Sequence, residues 1–483
     1  MLIGIDVGTT AVKASLFSFD GEAIKKFNQS YPTLRPREAQ VEQNPYDWIQ
    51  QVLSALQQFA DYPVKAIGLC SQVNTHVFVD GDGKPLMPAI TWQDGRCAEE
   101  AAQLDSEITT EEKISWWGAP LPIDASHVLA RMAYVRKHHP EIWRKTRWVM
   151  APKDFCLFHL TGEVSTDPMT AFGIIDSQLS LIQRLLDLVP NAAERLPPIR
   201  SFTTLIGKVR AGLPCANVPV VCGAMDAWSG LLGAGVCEEG QGLYLSGTSE
   251  ILGIVSSLKA SVHGVIAFPK CEGIVFHAGP TQSGGASIEW LSRLLAKSPA
   301  EISMLAAKAD VTKSLPIFLP HLEGERAPLW DIHSRASLSG INSNTGAAEI
   351  SRAVLEGVAY SARLAMDSLE ASACIRPLAI NHSGGGSASD VWCQIRADVL
   401  GRPIKRTKMT DAGVLGAALI AGAGLGVFSS LNSAVKSLVK QDRIFVPNPK
   451  ESERHANGFA KYKLLYQQLV PWNSKGTDIF IHP

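Results

Sequence analysis

The sequence predicts an α/β protein built as two similar halves, and three observations carry that expectation. An apolar strand near the start, IGIDVGTTAVKASLF (residues 3–17), runs into Gly-Thr-Thr and then resumes its alternation. A later stretch, GLYLSGTSEILGIVSS from Gly242 to Ser257, repeats strand, Gly-Thr-Ser, strand, so that Gly8 and Gly247 stand about half the chain apart. Between and after these two turns, strand patterns alternate with helical ones, which suits layered α/β halves. Two such halves with an interdomain cleft are the simplest architecture, divided near Val236 into domains 1–236 and 237–483.

The bulk numbers narrow the partners. A chain of 483 residues with 46% hydrophobic content and 40 glycines is long enough for two or three compact domains. With 45 basic against 46 acidic residues, no net field favours nucleic acid or an anionic membrane. The nine cysteines include no C-x-x-C pair, which suits reduced thiols in a cytoplasmic protein better than disulfides or a zinc cage. Leu2 to Ile5 is too short an apolar run for a signal peptide. The longest apolar run, GVLGAALIAGAGLGVF from Gly413 to Phe428, falls short of the roughly 20 residues of a membrane span and reads as a buried helix with its turn.

The elements follow in order. Ile3, Ile5 and Val7, then Val12, Ala14 and Leu16, mark two strands with Asp6 at a strand end. QNPYDWIQQVLSALQQF begins a helix with Asn44 as N-cap and proline in its first position, striped by Trp48, Val52, Leu56 and Phe59. KAIGLCS and HVFVDGDGKPLMPAITW read as strands around a Gly-Asp-Gly turn. In the second half EISRAVLEGVAYSARLAMDSLEA is a long helix, and VWCQIRADVLG another that ends at Gly401.

The turns carry the chemistry. Gly8 lets a ligand approach the backbone, while Thr9 and Thr10 with neighbouring N–H groups make a donor-rich concavity for phosphate oxygens. Asp6 beside them can hold Mg²⁺, which lets a carboxylate and a phosphate share one site. A lone Gly-Thr turn is as often structural, but its recurrence at half-length favours two grips on one polyphosphate. In HSGGGSASDVWCQIRADVLG, from His382, three glycines run into a helix start with Ser387 and Asp390 at capping-box spacing, a place for a nucleotide or simply a surface loop. In VPVVCGAMDAWSGLLGAGV a strand empties into Asp226, placed to act as a base, although on this segment alone capping the helix that follows is the more common role. No Walker A sequence is present, and the third glycine of a Rossmann fingerprint is replaced by Ser389.

Taken together and in order, DVGTTAVK, GAMDA, SGTS, GGASIEW, GERAPLWD and SGGGSASDVWCQIRADVLG resemble the FGGY carbohydrate kinases, members of the actin, Hsp70 and hexokinase superfamily of duplicated ribonuclease-H-like domains. The resemblance implies ATP and Mg²⁺ as cofactors, with Asp6 near the metal and Thr9 and Thr10 facing the transferring phosphate. It implies Gly247 and Thr248 on the phosphates from the other half, and Gly285, Gly385 and Ser389 along the nucleotide. It makes Asp226 the catalytic base, and lets Lys13 help with phosphate or stand as a solvated surface lysine. Gln72, Val73, Asn74, Trp92 and Asp226 would meet the sugar. Positioning and charge stabilisation dominate phosphoryl transfer, so such a set is chemically sufficient.

The implied reaction is transfer of the γ-phosphate to a primary hydroxyl of a ketopentose, with ribulose, erythritol or another polyol, or a sugar sensor without catalysis, as alternatives. The implied partners are a small-molecule sugar and ATP, with no nucleic acid and no membrane; a homodimer is admitted but not specified. The sugar side departs from its relatives. Where they show Gly-Gln-Met-His-Gly, this chain has Ser71-Gln72-Val73-Asn74-Thr75, and Ala227 follows the base where many carry an amide. Asparagine still donates to and accepts from hydroxyls, so stereochemical preference is what changes. His76 follows Asn74 at strand spacing, but a core or surface histidine is the commoner outcome. LARMAYV (Leu129 to Val135) reads as structural, GERAPLWD as an inter-domain turn, and Trp116 and Trp117 as a sugar cover or the packing of an insert.

Overall fold

The computed structural model describes residues 1–474; the stretch of the second expected domain at 475–483 lies outside the described residues. The chain forms two compact units, and they are not contiguous halves. The first comprises Met1–Cys237, Phe268–Gly273 and Asp411–Val439, and the second Glu238–Ala267, Ile274–Thr410 and Lys440 onward.

In the first unit, the hairpin Leu2–Val7 and Ala11–Phe17 sets Asp6 opposite Lys13, and Ala23–Ser30 extends it antiparallel. Leu2–Val7 then pairs in parallel with Ala66–Ser71, which pairs in parallel with Pro219–Val221. Three antiparallel strands followed by parallel ones are the ribonuclease-H-like arrangement that the resemblance implies. The helix Pro45–Phe59 starts as read, with the Asn44 side chain accepting from Tyr46 N–H, and buries Trp48, Val52, Leu56 and Phe59. The apolar run near 413 is the helix Ala412–Gly424, packed so closely on this sheet that a methyl group on Gly4 or Gly68 would fall 1.9 Å from the Val414 carbonyl oxygen or 2.0 Å from that of Ala417. Glycine at both positions is what lets backbone meet backbone.

The second unit repeats the scheme. Gly242–Ser246 pairs antiparallel with Glu250–Val255, which pairs antiparallel with Phe276–Pro280, while Ile380–Ser383 and Ile404–Thr407 continue in parallel on the other side. The helices Ala347–Ala373 and Asp390–Leu400 cover it, the latter ending on Gly401 at φ +62°. Each unit therefore carries its Gly-Thr turn at the tip of the same hairpin. All nine cysteines are free, six of them buried. No helix among the described residues is long and apolar enough to cross a membrane.

Three local expectations are corrected. Helix Asp390–Leu400 is capped by Ser389, whose hydroxyl accepts from Trp392 N–H at 3.1 Å, because a 3₁₀ turn over Gly385–Ala388 delays its start; Ser387 instead donates to Gly384 C=O. Gly324 to Asp331 lies wholly in the second unit rather than between domains, with Glu325 buried and accepting from Arg326 N–H and the Ser361 hydroxyl. The Gly-Asp-Gly turn does fold back, bringing His76 against Ile90, but Val77–Val79 finds its ladder partner in Trp148–Met150.

Candidate active site

The first site grows from the register of the first sheet. Asp6 stands beside Cys70, and Cys70 in turn beside Ala224 in the short strand Ala224–Met225, which ends at Asp226. Two carboxylates therefore emerge at one end of the sheet on either side of a buried thiol. Gly223, at φ +74°, makes this possible: any side chain there would strike the Leu69 carbonyl at 1.9 Å. Asp226 is the first residue of the helix Asp226–Gly233 rather than its cap, and its Oδ1 accepts from Ala227 N–H at 2.6 Å. The helix N-terminus favours its negative charge.

Asp6 is part-buried, and its Oδ1 is enclosed without a hydrogen-bond partner. Burial pushes its carboxyl up to about 6, partly offset by the Lys13 ammonium and the Cys70 thiol. An enclosed carboxylate oxygen with nothing to accept from fits a divalent cation. Among the described residues no cluster of three or more acidic, histidine or cysteine ligands exists, so the protein alone builds no cage. Mg²⁺ commonly takes one or two carboxylates and completes its shell with water and phosphate.

The Gly8-Thr9-Thr10 loop is held from behind. Gly8 C=O accepts from the Tyr31 hydroxyl, Thr9 C=O from Gln43 Nε2 at 2.7 Å, and Thr9 Oγ1 from Trp92 Nε1 at 3.0 Å. Thr10 is exposed, and Lys13 pairs with Asp411 at 2.8 Å. A methyl on Gly8 would lie 4.0 Å from both Asp6 oxygens, so Gly8 faces that carboxylate.

On the expected sugar side, Gln72 is 2% exposed, donates to Gln43 Oε1 at 2.9 Å and leaves its own Oε1 without a partner. Val73 is half-buried. Asn74 is exposed and sits at φ +52° in a bend, not on a strand. Its Nδ2 donates to Ser126 Oγ at 3.1 Å, and its carbonyl is held by the buried Arg131 guanidinium, which also serves the Ile90 and Thr91 carbonyls. Arg131 meets His76 Nδ1 at 3.2 Å, and burial with this neighbour keeps His76 well below the ordinary imidazole range. Asn74 and His76 line a pocket with His127, Asp154, Thr170 and Phe172. Trp117 is buried, with Trp116 edge-on at 5.7 Å.

In the second unit the turn is anchored differently. Gly247 C=O accepts from Gly285 N–H at 2.8 Å, and Thr248 C=O from Gly284 and Ala286 N–H at 3.0 Å each, so this turn sits on the start of the helix Gly285–Leu295. A methyl on Gly285 would lie 2.7 Å from Gly247 O. Gly247 and Thr248 themselves are exposed, as is Gly385, which has open space before it. The glycine loop abuts the same strand end, since a methyl on Gly386 would meet Ser246 Oγ at 2.3 Å. Ser389 is occupied by its capping bond and by Ser303 Oγ at 2.7 Å. The structure thus brings Gly247, Thr248, Gly285 and the Gly384 to Gly386 loop together, while the Ser389 hydroxyl serves the helix. Sequence reasoning missed Tyr31, Gln43, Ser126 and Asp411. None stands in a chemical motif, and only the turn's need for backing partners pointed toward them.

Residues 1–233 match the N-terminal domain and residues 242–425 the C-terminal domain of the FGGY family of carbohydrate kinases. The xylulose kinase of Klebsiella pneumoniae is 30% identical over 87% of this chain and 89% of its own. A ligand-bound xylulose kinase structure from Lactobacillus acidophilus is 26% identical with a TM-score of 0.87, covering 97% of this chain and 98% of its own. A gluconate kinase structure from the same organism is similar to the same degree, at 26% identity and TM-score 0.87 over 97% of both chains. With matches to both domains and a full-length structural likeness, the chain belongs to the FGGY family of carbohydrate kinases and is a sugar kinase, a phosphotransferase with an alcohol group as acceptor.

Proposed function

We propose that this kinase transfers the γ-phosphate of ATP to a primary hydroxyl of a ketopentose, D-xylulose first, giving the 5-phosphate. The observation that carries the proposal is the pair of carboxylates, Asp6 and Asp226, placed at one sheet end on either side of Cys70. One carboxylate with an unpartnered oxygen suits a cation, and the other, at a helix N-terminus, suits a proton acceptor. On this reading the first unit holds the sugar, the base and the Gly8-Thr9-Thr10 grip, and the second holds the nucleotide on Gly247, Thr248, Gly285 and Gly385.

Asp226 takes the proton of the acceptor hydroxyl as that oxygen forms its bond to the γ-phosphorus and the bond to the ADP oxygen breaks. Gly8 N–H is turned to Ala11 C=O at 3.1 Å and so is not one of the donors toward phosphate, whereas the threonine hydroxyls can turn to it. Lys13 offers a cation once it leaves Asp411. Mg²⁺, when bound, neutralises phosphate charge, and Asp6 is the residue that would hold it. Orientation by these groups is worth about 7–11 kcal/mol of barrier in well-aligned systems.

The sugar contacts favour a second reading at the level of substrate. Val73, Asn74 and Ala227 replace the contacts usual in relatives, and Asn74 is tied to Ser126 rather than extended from a strand. A polyol, ribulose or another sugar kinase activity is the alternative, and the similarity to a structure named as a gluconate kinase supports keeping it open. An ADP-release screen over pentuloses, polyols and aldonates decides it: highest kcat/KM with D-xylulose is expected, and no turnover of any pentulose overturns the substrate assignment.

A further inference from the structure

We propose that Gln43 is a positioning residue that couples the sugar side of the first unit to its phosphate loop; the inference rests on the kinase reading above. Gln43 ends the short strand Glu42–Gln43 and is fully buried. A primary amide has two donor hydrogens and two acceptor sites, and all four are used here. Nε2 donates to Thr9 C=O at 2.7 Å and to Thr33 Oγ1 at 2.9 Å. Oε1 accepts from Trp48 Nε1 at 3.2 Å and from Gln72 Nε2 at 2.9 Å.

The orientation of this amide is forced. An indole N–H only donates and a backbone carbonyl only accepts, so Trp48 and Thr9 together fix which end of Gln43 faces which. That in turn commits the Nε2 of Gln72 to Gln43 and leaves the Gln72 Oε1, buried and without a partner, as an acceptor awaiting a hydroxyl. The same amide pulls on the carbonyl of Thr9, whose hydroxyl is already engaged by Trp92. Gln43 therefore joins an open acceptor on the sugar side to the backbone of the loop that grips phosphate. Hydrogen bonds in such a chain polarise one another, so a sugar hydroxyl on Gln72 tightens the hold on Thr9. A purely structural glutamine would be satisfied by Trp48 and Thr33 and need touch neither functional segment.

The test sets Gln43→Glu against Trp48→Phe. Glutamate keeps both accepting bonds and loses both donating ones, so it cuts the loop arm while sparing the sugar arm. Phenylalanine at Trp48 removes the structural arm, while the Thr9 carbonyl, which only accepts, still holds Nε2 of Gln43 toward the loop. Kinetics are run with the sugar that the wild type turns over best, beside melting temperatures. Gln43→Glu is expected to lower kcat on the order of 10- to 100-fold, the scale of a small misplacement, with the sugar KM within about threefold. Trp48→Phe is expected to lower the melting temperature yet keep kcat within about twofold of wild type, a fifth or less of the Gln43→Glu loss. Equal kinetics in the two variants, with only stability changed, overturn the proposal. If Gln43→Glu does not fold, Gln43→Asn, with the same polarity one methylene shorter, is read by the same criterion. A wild type that phosphorylates no sugar sinks the kinase reading separately, and the coupling is then judged by intrinsic ATP hydrolysis in the same variants.

Discussion

The two Gly-Thr turns sit at the tips of similar antiparallel hairpins and nearly share a sequence, yet the acids beside them are treated in opposite ways. Beside the first turn, Asp6 keeps an enclosed oxygen without any hydrogen bond. Beside the second, Glu250 is fully buried and bound on every side: to Arg396 Nη2 at 2.7 Å, to the Tyr244 hydroxyl at 2.7 Å and to Ser246 Oγ at 2.9 Å. The backing differs too, since side chains of Gln43 and Tyr31 hold the first loop and backbone N–H groups of a helix hold the second. On the proposed reading, the acid that precedes the first turn is left open for chemistry, while the acid that follows the second is consumed as scaffold.

The scaffold side breaks hardest. Arg396 also donates to Ser246 Oγ at 2.7 Å and Gly386 C=O at 3.1 Å and meets His382 Nε2 at 2.9 Å, so it ties the turn to the glycine loop. Glu250→Ala leaves this buried guanidinium uncompensated, which costs about 3–5 kcal/mol. Denaturant unfolding is expected to show that loss, whereas a variant as stable as wild type would mean that Glu250 is not the counter-ion it resembles.

On the chemical side the loss appears in rate instead. Asp226→Ala is expected to lower kcat by at least about 10²-fold while ATP binding and melting temperature stay near wild type. Near-normal turnover would remove the base assignment.

How much of this was legible in the sequence follows from where each interaction lies along the chain. The hairpins, the Asn44 cap and the Gly401 stop are local events, written by residues within a few positions of one another. Asp226 was legible because a strand, a glycine and an acid in that order already describe a strand mouth. The assignment of Asp411–Val439 to the first unit was not, because its helix is apolar all round and names no partner; Gly4 and Gly68 receive it from the far end of the sequence. Gln43 stood one residue before a cap that explained the segment without it. At Ser387 the capping-box spacing was genuine, but three glycines allowed a 3₁₀ turn that shifted the cap to Ser389.

Asp6 sharpens the comparison through pH. Its carboxyl is raised from 3.8 to about 6 in the folded protein, so the native state holds its proton more tightly than the unfolded chain does. Stability is then complete below the unfolded value and falls as pH rises through the interval up to about 6. Asp6→Asn, which cannot ionise, is expected to melt higher than wild type at neutral pH without nucleotide. The gain is at most about 3 kcal/mol, reduced by the part of Asp6 that remains in water, and it shrinks toward zero near pH 4. A gain that stays constant from pH 4 to 8 would show that Asp6 is not held against its charge.

Lys13 and Asp411 give the smallest effect and the finest discrimination. Their side chains are 45% and 29% exposed, and an ion pair so placed contributes no more than about 1 kcal/mol. Asp411→Asn should therefore leave the melting temperature almost unchanged. If Lys13 turns to phosphate during the reaction, Asp411 competes with the nucleotide for it, and removing that carboxylate lowers the ATP KM by up to about fivefold, the equivalent of 1 kcal/mol. The change should fade with added salt, because both partners face solvent. Steady-state kinetics at two ionic strengths separate the cases. A raised ATP KM in Asp411→Asn would mean that the aspartate aims the lysine rather than restraining it, and the first turn would then have a fixed ion pair of its own.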